Sequence, residues 1–537
     1  MRNPRSVLAV AAVLCLLAAP ARAQEKKKYE FVKPSPVAGL REIGPYQWKD
    51  KKVVFPINVW GGWAPIVAAN GGFKANPDSV FAKEFGFQVE LRVIDNPADA
   101  MTVYASGEAQ ILWGTVDMFA LYAPILAKDP RTAPKIYQQI DFSNGGDGIV
   151  VRPGIKNAAD LKGKEIVLTQ NSPSHFYLLT VLKDAGLSPA DVTLTFTSDA
   201  FGAADAFVAE SRFAACISWS PRIYEVVDPK MGGKPDGVKG ARLLTTTRDA
   251  SNLIADVWAA RADFAREHPE VIRGLVLGIF KGMDLVKKDP TVVAKLLADG
   301  FGIPAEDCRN MMLDAHMTNF AENKRFFLDT SNPANFDRLW RSASEAYQSV
   351  RLVSTPVLPD QVRVWDVLSD ANAAKMFAHH RDDYAPKFGD PTKGGILAER
   401  EPIVIKKIIL QFRSGGNKLD DAYDPNIPKA LEEIAEMAAR FGAARVLVEG
   451  NADTSMRAQF KDDPDILKQI GIGVKQLSEE RAAAVKQALI EKFGFDPNKF
   501  ISRGNGWDNP LVKDPKAEED HAKNRRVEVK VLPLEGG

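Results

Sequence analysis

The chain has 537 residues, too many for one hydrophobic core, so two or more domains are expected. It is 45% hydrophobic and 26% charged, with a mean hydropathy of −0.18, which argues against large-scale disorder. The formal net charge is +1 with no long run of one sign, leaving no electrostatic footprint for nucleic acid.

Arg2 and Arg5 form a basic start, Val7 to Ala19 an apolar stretch, and Ala21-Arg22-Ala23 a small-x-small cleavage site. Together they predict a secretory signal peptide over residues 1–23, too short for a membrane span. Its removal lowers the net charge by three, through Arg2, Arg5 and Arg22. Leu14 before Cys15 is not the small residue that a lipoprotein signal requires. No later apolar run could cross a bilayer, so the mature chain is expected to be exported, without a transmembrane segment. Cys216 and Cys308 read as small core residues, with one disulfide left open. His379-His380 is the only histidine cluster, and a metal site is not expected there.

Residues 24–50, with Lys26-Lys27-Lys28, Pro34, Pro36 and Pro45, read as an N-terminal arm or tether. From residue 51 to 383, strand-like and helix-like runs alternate, as in an α/β domain with largely parallel strands. Strands are predicted at Val53–Trp60, Gln88–Ile94, Ile111–Trp113, Gly148–Arg152, Glu165–Thr169, Thr193–Thr197 and Ala214–Trp219. Helices are predicted at Ser174–Ala185, Pro269–Lys288 and Asp337–Tyr347. Residues 384–401, rich in proline and glycine, read as a linker.

A second alternating unit follows at 402–534. Val404–Phe412 reads as a strand, Ile427–Phe441 as a helix stopped by Gly442, and Arg445–Glu449 as a strand. Glu479–Phe493 reads as a helix capped by Ser478, and Phe500–Arg503 and Arg526–Leu532 as strands. The order β-α-β-α-β-β predicts a mixed sheet with two helices on one face. Glu479 and Glu480 suit the positive end of the second helix, whereas Arg481 in its first turn costs roughly 0.3–1 kcal/mol. Either Arg481 is a tolerated surface arginine, or it faces a carboxylate ligand together with the first-turn amides.

Four motifs occur in order here: Val448-Glu449-Gly450-Asn451-Ala452-Asp453, Leu477-Ser478-Glu479-Glu480-Arg481-Ala482, Gly504-Asn505-Gly506-Trp507-Asp508-Asn509-Pro510 and Asn524-Arg525-Arg526-Val527-Glu528. Together they resemble the OmpA-like peptidoglycan-binding domain. The resemblance implies that Asp453 binds the amino group and Arg481 a carboxylate of meso-diaminopimelate in the stem peptide, with Asn451, Asn524 and Arg525 around the pocket. Two departures stand out: Asn451-Ala452 replaces the usual His-Thr, and Ser455–Gly473 reads as an additional charged loop.

The larger unit resembles periplasmic substrate-binding proteins of ABC importers, of the nitrate, sulfonate and taurine type and the related thiamine-precursor type. The carrying residues are Val59-Trp60-Gly61-Gly62-Trp63-Ala64-Pro65, Ser106-Gly107, Trp113-Gly114-Thr115-Val116-Asp117, Ala159-Asp160-Leu161-Lys162-Gly163-Lys164, Asn171-Ser172-Pro173-Ser174-His175-Phe176, Ile217-Ser218-Trp219-Ser220-Pro221 and Phe264-Ala265-Arg266-Glu267-His268-Pro269-Glu270. This implies a two-lobed α/β fold closing by hinge motion, lobe one near 53–142 and 245–350 and lobe two near 145–240. A small, anionic solute is expected at the strand C-termini and helix N-termini. Thr115, Asp117, Ser172 and Ser174 are the cleft candidates. Trp60, Trp63 and Trp219 are aromatic walls or ordinary core, and Asn144 is a crossover ligand or a plain loop residue.

No Walker loop, nucleophile elbow, H-E-x-x-H or paired-carboxylate motif is present, and His175 has no cysteine partner, so neither catalysis nor a cofactor is expected. Two readings follow. One is a periplasmic solute receptor anchored non-covalently to peptidoglycan, with an ABC permease as a further partner. The other is a structural envelope protein whose clam-shell unit binds a partner and not a solute.

Overall fold

The computed structural model describes residues 29–34, 37, 43–228, 237–384, 388–389, 401–413 and 415–533. The signal peptide predicted at 1–23 and most of the linker predicted at 384–401 lie outside the described residues.

Two lobes form the larger unit. Lobe one holds a four-stranded sheet with spatial order Ala315–Met317, Pro134–Ser143, Ala255–Arg261, Ile111–Thr115, every neighbour antiparallel. Beside it lies a parallel pair, Lys52–Ile57 with Gln88–Val93. Lobe two holds a six-stranded sheet in the order Phe31–Val32, Thr193–Thr197, Glu165–Thr169, Phe213–Trp219, Asp147–Val151, Arg242–Thr246. Only its Thr193–Thr197, Glu165–Thr169 and Phe213–Trp219 neighbours run parallel. The expectation of largely parallel strands is therefore corrected. Asp147–Val151 enters lobe two and Arg242–Thr246 leaves it, so these crossover strands pair antiparallel.

The strands form where β-branched and aromatic residues run between turns. Ile166, Val167 and Leu168 are fully buried, as a central strand covered on both faces requires. The helix Pro269–Lys288 begins with proline at its first turn and reaches its neighbour through small residues. A Cβ on Gly282 would stand 1.9 Å from the Pro65 carbonyl oxygen, so glycine lets the two helices touch backbone to backbone.

The N-terminal arm is no free tether over its described part. Phe31–Val32 adds an antiparallel edge strand to lobe two. Tyr46 and Trp48 pack their rings on Phe264 and His268 of lobe one, and Arg261 donates to the Gly44 carbonyl at 2.9 Å.

The C-terminal unit has the sheet order Val404–Ile408, Val527–Leu532, Arg445–Gly450, Phe500–Gly504, with only the last pair parallel. This is the mixed β-α-β-α-β-β sheet expected, with one change of consequence. The second long helix runs unbroken from Pro464 to Phe493, capped by Asp463, whose carboxylate accepts from the Ile466 amide at 3.0 Å. Ser478 is thus not an N-cap and Arg481 lies mid-helix, which removes the helix-dipole argument for it. The charged loop predicted at Ser455–Gly473 is instead the short helix Ser455–Gln459 and the start of the long one.

This unit docks on both lobes and their return crossover. Arg440 donates to the fully buried Asp184 carboxylate of lobe two at 2.6 Å. Asn252, between the lobes, donates to the Ala439 carbonyl at 2.9 Å, and Arg338 of lobe one meets Glu432 at 3.2 Å. Removing one partner of a buried ion pair costs about 3–5 kcal/mol, because the other charge stays stranded. Arg440→Ala should therefore separate the C-terminal unit from the two-lobed unit and enlarge the radius of gyration in small-angle scattering. An unchanged radius would mean that the remaining contacts hold the docking alone.

Candidate functional site

The chain crosses between the lobes at 144–146 and 247–254. Thr247 ties the crossings together: its hydroxyl accepts from the Gly145 and Asp147 amides at 3.0 and 3.1 Å and meets the Ser143 hydroxyl at 2.8 Å. Gly145 has a positive φ of 103°, open to glycine at no steric cost. A Cβ on Gly146 would stand 2.3 Å from the Trp60 ring, so glycine there makes room for the indole.

Between the lobes lies a cavity of about 420 Å³, within the usual range for small-molecule sites. Lobe one contributes Asn58, Trp60, Asp95, Trp113, Thr115 and Asp256; lobe two contributes Asp147, Thr169, Ser172, Asp199, Phe201 and Trp219. Strand register builds the floor, because Asp256 is paired with Thr115 on one side and Asp141 on the other. Trp60 Nε1 donates to the Asp141 carboxylate at 3.0 Å. Phe201 and Trp219 meet edge to face, with ring centroids 6.2 Å apart.

Of the eight solute residues read from the sequence, Trp60, Thr115, Ser172 and Trp219 line this cavity. The other four are placed elsewhere. Trp63 is fully buried among Trp113 and Trp258 and donates to the Asn58 carbonyl, so it is core. Asp117 lies beneath the wall and accepts from Tyr347 at 3.0 Å. Ser174 is fully buried two residues after Ser172, in the first turn of the helix. Asn144 sits in the crossover, where its amide donates to the Asp314 carbonyl at 2.8 Å. Asp147, Asp256, Trp113 and Phe201 were missed. Nothing local marks the two aspartates, because the crossover and strand register, not sequence spacing, bring them to one place.

The electrostatics of the cavity are one-sided. Among the described residues, its lining includes Asp95, Asp147, Asp199 and Asp256 and no lysine, arginine or histidine. The anionic solute expected from the fold resemblance thus finds no positive side chain in the lining. The helix N-termini at the cavity have part of their amide set already engaged. Asn96, Thr115 and Asp199 already accept first-turn amides of their own helices, and the helix behind Ser172 begins with Pro173, which has no amide hydrogen. Burial pushes the Asp147 carboxyl up to about 7, helped by the nearby charges of Asp117, Asp141 and Asp314 and opposed by the Ser143 hydrogen bond. Asp256 is raised by burial and by Asp141 beside it, since adjacent carboxylates in a dry site cannot both ionise cheaply.

The histidines read differently in three dimensions. His379 and His380 both reach the Asp284 carboxylate at 3.1 Å, a partner 95 residues away in sequence for His379. His380 Nδ1 accepts from the Phe320 amide at 3.2 Å, so in the neutral ring Nε2 carries the proton and donates to Asp284. His175 is buried against Phe196 and Tyr347, and that burial lowers its pKa to about 4. Cys216 and Cys308 are buried free thiols.

In the C-terminal unit, Asp453, Arg481 and Arg525 come together. Asp453 accepts from the Ser455 amide at 2.9 Å and from Arg525 at 3.1 Å. Burial pushes its carboxyl up, but these hydrogen bonds outweigh that and hold it below the ordinary range. Arg481 is 4% exposed, donates to the Gly416 carbonyl at 3.0 Å and lies 5.0 Å over the Phe412 ring. Its burial and the Arg525 charge lower its pKa, while Asp453 raises it. Asn451 and Asn524 are buried. Both ends of the Asn524 amide bond the Val512 backbone, at 2.9 and 2.8 Å, and Asn451 accepts from Asn505 at 3.3 Å. Both brace the loop that follows the Phe500–Gly504 strand. The motif glycines admit the helix: a Cβ on Gly450 would stand 1.9 Å from the Ser478 carbonyl oxygen, and one on Gly504 would stand 2.4 Å from that of Lys475.

Comparison with known proteins agrees with this division. Residues 80–292 match the family described as NMT1/THI5 like, and residues 411–525 match the OmpA family. The taurine-binding periplasmic protein of Escherichia coli K12 is 26% identical over 243 residues, 43% of this chain and 70% of that protein. Outer membrane protein A of Bordetella avium is 31% identical over 108 residues, 20% of this chain, which spans only 48% of that protein. The crystal structure of the periplasmic aliphatic sulphonate binding protein SsuA from Escherichia coli aligns with a TM-score of 0.46 at 18% identity, over 59% of this chain and 92% of that one. An NMT1/THI5-like match within the two-lobed unit is thus followed, in one chain, by an OmpA-family match within the C-terminal unit.

A raised carboxyl pKa sets the sign of a pH effect. Folded Asp147 keeps its proton up to about 7, whereas the unfolded residue loses it near 3.9. Its contribution should therefore destabilise the fold progressively as pH rises from about 4 to about 7, and stay level above. Asp147→Asn should melt with the parent at pH 4 and above it at pH 8, by about 2–4 °C for each kcal/mol recovered. Scanning calorimetry reads the difference, and an equal or lower melting temperature at pH 8 would contradict the assignment.

Proposed function

We propose that the protein is a periplasmic solute receptor held on the cell wall by its C-terminal domain, without covalent attachment. The observation that carries this reading is the pairing, in one chain, of an interlobe cavity with a domain in which a buried arginine and a paired aspartate lie together. The likeness to a taurine-binding periplasmic protein supports a small-molecule solute, which an ABC permease would then accept. The OmpA-family match supports peptidoglycan as the anchor.

In this reading Asp453 takes the ammonium and Arg481 a carboxylate of the free end of meso-diaminopimelate, a zwitterion that one anion and one cation at fixed separation can read. Arg525 keeps Asp453 ionised at the rim, and Asn451 and Asn524 hold the surrounding loop in place. Trp60, Trp219, Thr115 and Ser172 contact the solute. Trp63, Asp117, Ser174 and Asn144 support the walls and the hinge.

Losing a hydrogen bond to a charged group costs about 1.5–3 kcal/mol, roughly a tenfold to hundredfold loss of affinity. Asp453→Asn and Arg481→Ala should each weaken co-sedimentation with purified sacculi by at least about tenfold, with the receptor unit still folded by circular dichroism. Undiminished sedimentation of both variants would sink the wall assignment. Native mass spectrometry tests the receptor half: a mass shift with a small solute supports it, and no shift across amines, zwitterions, sulfonates and phosphate counts against it.

A further inference from the structure

The receptor reading leaves the chemical class of the solute open, and the inference here rests on that reading. The ionic groups of the cavity are of one sign. Asp147 and Asp256 are 4% and 5% exposed and stand in its wall, and Asp95 and Asp199 stand exposed in the lining. Behind the wall, Asp117 and Asp141 add two more buried carboxyls. Among the described residues, no lysine or arginine forms an ion pair with Asp117, Asp141, Asp147 or Asp256. The same wall carries aromatic faces from both lobes, Trp60 and Trp113 from one and Phe201 and Trp219 from the other.

Two buried polar atoms in that wall have no partner: Trp113 Nε1 and the Thr169 hydroxyl. Both residues are more than nine-tenths buried and both line the cavity. Buried donors without partners are costly unless a ligand or water meets them. An occupant carrying a hydrogen-bond acceptor would satisfy them, since an indole N–H can only donate, and the charge and ring faces of the cavity bear on the rest of its chemistry.

We infer that the cleft takes an organic cation, a protonated amine or quaternary ammonium on a small apolar body, with Asp147 and Asp256 as counter-charges and the indoles of Trp60 and Trp219 as cation-facing walls. Carboxylate against ammonium is a charge-assisted contact, and an ammonium over an indole face gains further attraction once water is excluded. A bare sulfonate, nitrate or phosphate would meet Asp95, Asp199 and two buried carboxyls, with no lysine, arginine or histidine among the described lining residues to offset them. A cation would instead draw the protons off Asp147 and Asp256 and pair with the carboxylates. A zwitterion would bind through its ammonium, with its anionic end turned to the mouth.

Matched pairs of probes test the sign of charge at constant shape. The mature full-length protein is titrated calorimetrically with benzylamine against benzenesulfonate, and with choline against isethionate, with taurine as the zwitterion. The inference expects at least one cation to bind at least tenfold more tightly than its anionic counterpart, with Asp256→Asn and Asp147→Asn each cutting that binding at least tenfold. Both variants replace a carboxyl by an amide of equal size, and circular dichroism confirms that they fold.

Preference for benzenesulfonate, isethionate or the sulfonate end of taurine would overturn the inference while leaving the receptor reading standing. Failure of every probe, cation, zwitterion and anion, at 10 mM (on the order of the weakest useful affinities) would overturn both. Cation binding unmoved by either aspartate variant would place the cation elsewhere and also overturn it.

Discussion

Four buried carboxyls, Asp117, Asp141, Asp147 and Asp256, meet where the lobes join, and no lysine or arginine accompanies them. Taking a carboxylate out of water without a partner is among the most expensive things a fold can do. That cost shows as raised pKa values: burial pushes Asp147 up to about 7 and Asp117 up to about 6. A core designed for stability alone would place apolar side chains there. The cluster is a local violation of the rules that the rest of the fold obeys, and such violations concentrate at functional sites.

Its position follows from the topology. Asp141 ends the strand that leaves lobe one, Asp147 begins the strand that enters lobe two, and Asp256 begins the strand that returns. The three are therefore held by the crossings themselves, pinned by Thr247 and given room by Gly145 and Gly146. Ser143 donates to Asp147 at 2.7 Å and Trp60 to Asp141, so a movement of the lobes must alter the surroundings of these carboxyls. The C-terminal domain also rests on this return crossing, through Asn252 and the neighbouring Arg440–Asp184 pair. C-terminal domain, crossings and cavity form one continuous packed path.

Much of the fold was legible in the residues. Glu165–Thr169, Thr193–Thr197 and Pro269–Lys288 fall where the pattern predicts, because each is a long periodic run bounded by turn or proline signals. The second C-terminal helix was misjudged at its start. Ser478 followed by two glutamates looks like a cap, but the hydroxyl donates to the Lys475 carbonyl and accepts from the Gly506 amide, a tertiary use no local rule foretells. The true start, Asp463-Pro464, carries its own cap signal, overshadowed by Gly471 and Gly473 inside the helix. Trp60 and Trp63 show the limit of composition: three residues apart, one lines the cavity and the other is core. The acidic floor was invisible because Asp141, Asp147 and Asp256 become neighbours only through strand register.

The two halves of the chain provide an internal contrast. In the C-terminal domain a buried arginine, Arg481, is retained at real desolvation cost, with carbonyl oxygens and the Phe412 ring as its company and Asp453 close enough to raise its pKa. In the proposed reading, that is the cation placed to meet an anionic ligand group. The interlobe cavity has the size, the aromatic walls and the unpartnered Trp113 and Thr169 groups of a binding site, yet no side chain playing the part of Arg481. At its helix starts, the other common source of positive potential, Asn96, Thr115 and Asp199 take up part of the first-turn amides and Pro173 removes one amide hydrogen. With no cationic side chain among the described lining residues and carboxyls concentrated in the wall, a positively charged solute would release their protons and leave the cavity balanced, which is the physical content of the cation proposal.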